Sequence, residues 1–518
     1  MKILNTILIA AIAGSSLSQV STQSLDYNNV SAMVTDGGFF FNNPANNAPG
    51  YEVPSGSGLN TIYSGAFWFG GKDANGQLRL AAPDINGTTS DMWPGALSLG
   101  TALPVLPNPL GQTLWAVTKA EVDNHIANYN QPGYVVPSSI LNWPANGDIS
   151  LGLSYFLAPF VDVNFDNVYN PLDGDYPCIK GDKAIYTIMN DKQDLHGSGG
   201  APIGLEVHYM FYQFETNDYL DNTTFIDVNI YNRGTQTLYD FKSSFVMDGD
   251  LGNATDDYIG CDTTRNLMYI YNSDNMDESA AGSQGYGVNP PAAGVVCLSH
   301  DMTSMLSFSN GAMFPQGAPS NAIESYNAMN GLWSDQSPVL NENNQPTKFQ
   351  YPGNPNNSGE WSEYSFSNIS GDRKSIMSSL QHVLTPQDHI SMTYAVLYDR
   401  SGVNNLDNVN GLLNTADLVQ GFYDSNLGGV CDPSVMSIED IIGLEFSLYP
   451  NPSIGSFSID TKVSGAYDIS IIDLAGREIY NEIDAVGKTV VSLNTPAGAY
   501  FVNVVYAGVT TTQKLIVE

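Results

Sequence analysis

Six positions with oxygen donors fall between Asp162 and Asp173. Asp162, Asn164 and Asp166 alternate with Val163 and Phe165. Val168 offers its backbone carbonyl, and Asn170 and Asp173 follow. Alternate spacing lets oxygens converge on one hard cation while the side chains between them point away, and ligation by oxygen alone suits calcium. Asn167 stands where such loops carry glycine, and asparagine tolerates the left-handed turn better than most residues. Pro171 argues against a regular helix directly after the loop, and Asp173 is shorter than the usual bidentate glutamate. The competing reading is an Asx-turn loop, whose Asp and Asn side chains bond only to their own backbone.

A second acidic group is Asp248, Asp250, Asp256, Asp257 and Asp262, interrupted by Gly249 and Gly252. It follows a strand pattern, so it is a possible second cation site at the end of a sheet; solvated loop acids are the alternative. Catalytic signatures are weak. There is no H-E-x-x-H, no G-x-S-x-G and no phosphate-binding glycine loop. His382 and His389 flank a proline-containing turn and read as structural. Trp68, Trp93, Trp115, Trp143, Trp333 and Trp361 offer a sugar-stacking platform, with core packing as the default.

The elements that must position these groups are mostly strands. Leu205, Val207, Tyr209 and Phe211 alternate with Glu206, His208, Met210 and Tyr212. Ile226, Val228 and Ile230 repeat the pattern. Asn232-Arg233-Gly234 then turns the chain into Leu238–Met247, and Ile390, Met392, Tyr394 and Val396 mark a strand at 389–398. Two helices are expected. Thr118 and Glu121 form a capping box ahead of Val122, Ile126 and Tyr129, and residues 415–423 read as a short helix. The composition agrees: 49 Gly, 28 Pro and only 14% charged residues suit a loop-rich β protein better than a helical bundle. The fold class expected is all-β: a β-sandwich passenger with long loops, then a seven-stranded immunoglobulin-like sandwich at the carboxyl end.

The boundaries read as a signal peptide over 1–18, a loop-rich β region over 19–200, a β-sandwich region over 201–430, a linker over 431–443 and a separate tail over 444–518. Lys2, the apolar run Ile3–Ala13 and the small residues Ser16-Leu17-Ser18 make up the signal, with the mature chain starting near Gln19. Export makes disulfides plausible. Of the four cysteines 178, 261, 297 and 431, Cys261 and Cys297 are the nearest pair and the candidate bridge; free buried thiols are the alternative. A net charge of −35 repels phosphates and anionic membranes, which excludes nucleic acid as a partner.

The tail carries the most specific motifs. It opens with Leu448-Tyr449-Pro450-Asn451-Pro452-Ser453, then Gly455 and Phe457. Its middle is Ile472-Asp473-Leu474-Ala475-Gly476-Arg477-Glu478. Its end is Gly498-Ala499-Tyr500-Phe501-Val502 and Lys514-Leu515-Ile516-Val517. The prolines cannot donate ladder bonds and belong at an edge or strand start, and Gly476 permits a positive-φ turn. In order and spacing these segments resemble the C-terminal sorting domain of the type IX secretion system of Bacteroidetes. The resemblance implies passage through the type IX translocon, removal of the tail by a surface sortase between about 432 and 446, and attachment of the passenger to a lipopolysaccharide.

The loop at 162–173 is similar to EF-hand and dockerin-type calcium loops. The passenger resembles a recurrent group of secreted proteins of such bacteria through Trp143-Pro144, Gly147-Asp148, Asn170–Pro177, Gly181-Asp182 and Asp248–Asp262, a resemblance that brings no activity with it. The expected function is a secreted or cell-surface protein with a non-catalytic adhesion, glycan-binding or matrix role and structural calcium. The alternative is a secreted hydrolase of polysaccharide or protein; a clustered acid pair in a deep cleft would favour it.

Overall fold

The strand Leu205–Gln213 is buried along its whole length. Successive side chains of a strand leave opposite faces, so both faces of its sheet must be covered. The computed structural model describes residues 20–85, 87, 89–105, 111–280, 282–379, 382–431, 446–461, 466–473, 477–506 and 509–518. In it Leu205–Gln213 pairs antiparallel with Lys183–Asn190 on one side and Thr223–Asn232 on the other. His389–Asp399, Ala292–Cys297, Leu267–Asn272 and Asp257–Asp262 extend the nine-stranded sheet. A seven-stranded sheet is built around Leu238–Gly249, flanked by Ser64–Lys72 and Arg373–Ser378.

The two sheets pack face to face. Tyr209, Phe211, Val228 and Tyr394 of the first meet Phe67, Phe69, Phe245 and Met247 of the second in one core. The Phe67 ring lies 5.1 Å from Tyr394 and 5.7 Å from Tyr209. The outer face of the nine-stranded sheet carries Met210, Tyr212, Phe225 and Tyr271, covered by the helix Asn405–Asn426 through Val409, Leu412, Ala416 and Val419. Each large side chain fully buried there contributes roughly 1.5–3 kcal/mol. The outer face of the second sheet, with Trp68, Val246 and Phe308, is covered by the helix Ala322–Met329 through Tyr326 and Met329. The all-β sandwich is thus present, with helices as lids on its outer faces.

Local expectations hold in part. The Thr118–Glu121 capping box starts the helix Lys119–Asn128. Its buried face is Val122 and His125, while Ile126 is exposed. The expected short helix at 415–423 is the C-terminal half of Asn405–Asn426, whose start is fixed by the Asn404 side chain accepting the Asp407 amide at 2.9 Å. The boundary at 200 does not separate two sheets, because Ser64–Lys72 and Lys183–Asn190 pair with strands from beyond it. The signal peptide expected at 1–18 and residues 432–445 lie outside the described residues.

The disulfide expectation is corrected. Cys178 is bonded to Cys431, with Cα atoms 5.5 Å apart, and Cys261 and Cys297 are free and buried. The reason lies in the sheet order. Cys261 sits on Asp257–Asp262 and Cys297 on Ala292–Cys297, and Leu267–Asn272 runs between those strands. Two strand spacings are about 9.5 Å, beyond the reach of a disulfide. Cys431, assigned above to the linker, is therefore anchored to the passenger.

In the tail, Phe446–Tyr449, Ser456–Thr461 and Thr489–Ser492 form one sheet; Glu478–Val486, Ala466–Asp473, Gly498–Tyr506 and Val509–Val517 form the other. All seven strands expected in the tail occur. They enclose a separate core of Phe446, Phe457, Ile459, Ile469, Ile471, Val491, Val502 and Leu515.

Candidate metal centres

The loop after Asp162 hangs from a short ladder in which Phe160–Val161 pairs with Tyr176–Pro177. Trp143 backs the ladder, its indole N–H donating to the Pro159 carbonyl at 2.9 Å. The loop folds onto its own acids. Asp162 accepts the amides of Phe165 (2.7 Å) and Asn167 (2.6 Å). Asp166 accepts the Val168 amide at 2.8 Å and the Asn164 side-chain amide at 2.9 Å. Phe165 and Asn167 both adopt left-handed backbone, at φ 62° and 63°, so asparagine does occupy the turn conformation expected of it.

Asp162 and Asp166 converge as the spacing predicts, but the third carboxylate is Asp175. One oxygen from each of Asp162, Asp166 and Asp175 lies within 4.8 Å of the others. Asp173 does not join them. The 3₁₀ turn Pro171–Asp173 turns it back onto Asn170, whose side-chain amide donates to it at 2.6 Å. Asn164 and Asn170 likewise use their side-chain oxygens on the amides of Asp166 and Leu172. Asp175 is fully buried and accepts the amides of Val163 (2.8 Å) and Asn170 (2.9 Å). Burial pushes its carboxyl above the ordinary range; the two amides oppose this, and Asp162 and Asp166 add to it. The buried His125 ring holds the Asp175 carbonyl at 3.1 Å, tying the loop to the capped helix. Asp175 lies just past the expected end of the loop, directly before the strand Tyr176–Pro177.

The second acidic group divides. Asp248 and Asp250, at the end of Leu238–Gly249, meet Asp372 at the start of the neighbouring strand, again within 4.8 Å. Asp248 is ion-paired with Lys374 at 2.9 Å. Burial, then the charges of Asp248 and Asp372, push Asp250 up to about 8. Asp256, Asp257 and Asp262 are elsewhere. Asp257 is buried and accepts the Leu251 amide. Asp256 is pushed up to about 6, chiefly by burial. Asp262 is held low despite burial by the Thr264 hydroxyl and Arg265, its 2.6 Å ion-pair partner. Asp372 carries no local signal, since strand pairing alone brings it to Asp248.

The tail's motif residues are also placed. Pro450 and Pro452 follow the strand Phe446–Tyr449, as their missing donors require. Asn451 and Ser453 bind the final strand: the Ser453 amide donates to Ile516 and the Glu518 amide to Ser453, both at 2.8 Å. Gly455 has a φ of 101°. Arg477 and Asp473 form an ion pair at 2.7 Å; Gly476 lies outside the described residues. Gly498 begins its strand, and Lys514 is exposed on the last one.

Residues 447–518 match the family model of the secretion system C-terminal sorting domain. The tail is a type IX sorting tail. That recognition indicates secretion and placement at the outer surface of a Bacteroidetes cell. Among solved structures, the chain is similar to the complex of the Porphyromonas gingivalis RgpB pro- and mature domains, with 18% identity over 22% of this chain and 29% of that one (TM-score 0.13). It is similar to a polysaccharide lyase at 10% identity over 64% of this chain and 39% of that one (TM-score 0.19). It is also similar to PorZ, a surface component of the type IX system of Porphyromonas gingivalis, at 11% identity over 67% and 45% (TM-score 0.14). The chain spans less than half the length of each. No curated protein matches the chain.

Proposed function

We propose that this chain is a type IX-exported surface protein that acts by binding, in adhesion or in the extracellular matrix, with calcium bracing its passenger. In this reading the leader at 1–18 brings the chain across the inner membrane, the translocon recognises the tail, and a surface sortase cuts between about 432 and 446. Calcium would be held by Asp162, Asp166 and Asp175, and a second cation by Asp248, Asp250 and Asp372.

The observation that supports binding over turnover is how four of the buried acids are engaged. Asp191 accepts the amides of Ile203, Gly204 and Leu205. Asp91 accepts the Ala82 amide and the Ser198 hydroxyl. Glu206 is paired with Arg233, and Glu363 with Arg373. Acids used in this way hold loops and strands together instead of moving protons. The test is attachment of cells with and without the protein to glycan-coated surfaces and to one another. A deficit restored by the full chain supports the reading; equal attachment without the protein would overturn it.

A further inference from the structure

Two of the six tryptophans, Trp333 and Trp361, line one open groove of about 580 Å³ on the passenger, together with Tyr351, Gln350 and Gln316. Both rings are half-buried, unlike Trp68, Trp115 and Trp143 in the cores. Each is held by neighbours. The Trp361 ring lies 5.2 Å from Tyr351, and Trp333 meets the edge of Phe308 at 6.4 Å. The Trp333 amide donates to the Ser337 carbonyl and the Gly353 amide to the Trp361 carbonyl, both at 3.0 Å, so the two segments are fixed. Half-buried flat rings lining a groove suit flat apolar ligand surfaces.

The polar lining says which ligand. Gln350 is only 7% exposed and uses its side-chain oxygen on the Ser307 amide at 2.5 Å, which fixes the orientation of its amide group. Among the described residues its Nε2 has no hydrogen-bond partner. A donor placed at the wall of a groove can give a hydrogen bond to a bound acceptor. The charged residue in the lining, Glu363, is neutralised: it pairs with Arg373 at 3.2 Å and takes the Ile259 amide at 2.7 Å. Rings, amides and serine hydroxyls without a free charge fit a neutral ligand that is rich in hydroxyls and has apolar ring faces. The protein's net charge of −35 further disfavours polyanions.

We infer that the groove lined by Trp333 and Trp361 binds a neutral polysaccharide, with pyranose rings stacked on the tryptophans and a hydroxyl accepting from Gln350. This rests on the binding role proposed above and names its ligand class and site.

The test is titration of the full chain with neutral hexasaccharides of glucose, mannose, xylose and N-acetylglucosamine, followed by tryptophan fluorescence and calorimetry. At least one should bind. Trp361→Ala and Trp333→Ala should each weaken it roughly tenfold, the upper range for loss of one aromatic contact. Ser309→Arg, which adds bulk from an exposed position lining the groove, should block binding without disturbing the core, and so covers the case in which a tryptophan variant fails to fold. Binding that survives Ser309→Arg and both tryptophan changes would overturn the inference. So would no binding of any neutral sugar, or binding of a proline-rich peptide in their place. Cell attachment that persists in Ser309→Arg while sugar binding is lost would leave the adhesion role standing and sever it from this groove.

Discussion

Asn451 holds Lys514 by the backbone: its side-chain amide donates to the Lys514 carbonyl at 2.7 Å, and its oxygen accepts the Ile516 amide at 2.9 Å. The first motif of the tail is thereby bonded to its last strand. Asn451→Ala removes both bonds and should destabilise the tail by about 1–3 kcal/mol. Asn451→Asp keeps the acceptor and should cost less. Hydrogen exchange at residues 446–461 and 509–518 of the full chain checks this, and surface yield should fall in the same order.

Removal of residues 447–518 should leave a folded passenger in the periplasm. Immunoblotting of cell fractions, with thermal melting of the truncated protein, measures both parts. Truncated protein at the surface at normal levels would refute the assignment of delivery to the tail.

Calcium should raise the passenger's melting temperature, and chelation should lower it. Binding to the folded state alone contributes about 2.7 kcal/mol at a hundredfold excess over Kd. Asp162→Asn with Asp166→Asn should remove one ion from the calorimetric stoichiometry, and Asp250→Asn with Asp372→Asn a second. Asp173→Asn should remove none, because Asp173 faces Asn170. A loop without an ion at millimolar calcium would make it an Asx-turn structure only.

Thiol counting under denaturing, non-reducing conditions should find two free cysteines, with Cys178 and Cys431 joined in one peptide. Cys178→Ser with Cys431→Ser should cost about 2–5 kcal/mol, given the long loop that the bond closes. Cys261→Ala should produce only the smaller loss of a buried side chain.

Acid should loosen the passenger through Glu206. Burial alone would raise its carboxyl, but Arg233 and His208 outweigh it and hold the value down to about 2, against 4.5 when unperturbed. A depressed carboxyl contributes stability above its unfolded value, and that contribution is lost as pH falls from about 4.5 to about 2. Glu206→Gln should flatten the acid limb of the stability curve. It should also cost about 3–5 kcal/mol at neutral pH, because Arg233 is left buried without its partner.

What could be read in the residues was local or periodic. The tail's strands, the Thr118 cap and the two-faced strand at 205–213 follow from neighbours in the chain. Asp166 was visible because it shares a two-residue alternation with Asp162. Asp175 was not, because a 3₁₀ turn diverts Asp173 and delivers the later residue. Asp372 and the shared groove of Trp333 and Trp361 depend on contacts between distant segments. The cysteine pairing failed for a related reason: proximity in sequence took no account of an intervening strand.

The bond between Cys178 and Cys431 has a mechanical consequence. Cys431 lies just beyond the long helix and just before residues 432–445, across which any pull from the tail must pass. A load arriving along that segment is handed at Cys431 to the loop after Tyr176–Pro177, bypassing the end of the helix. Traction on the tail during export therefore bears on a covalent crosslink and leaves the helix seated on the sheet.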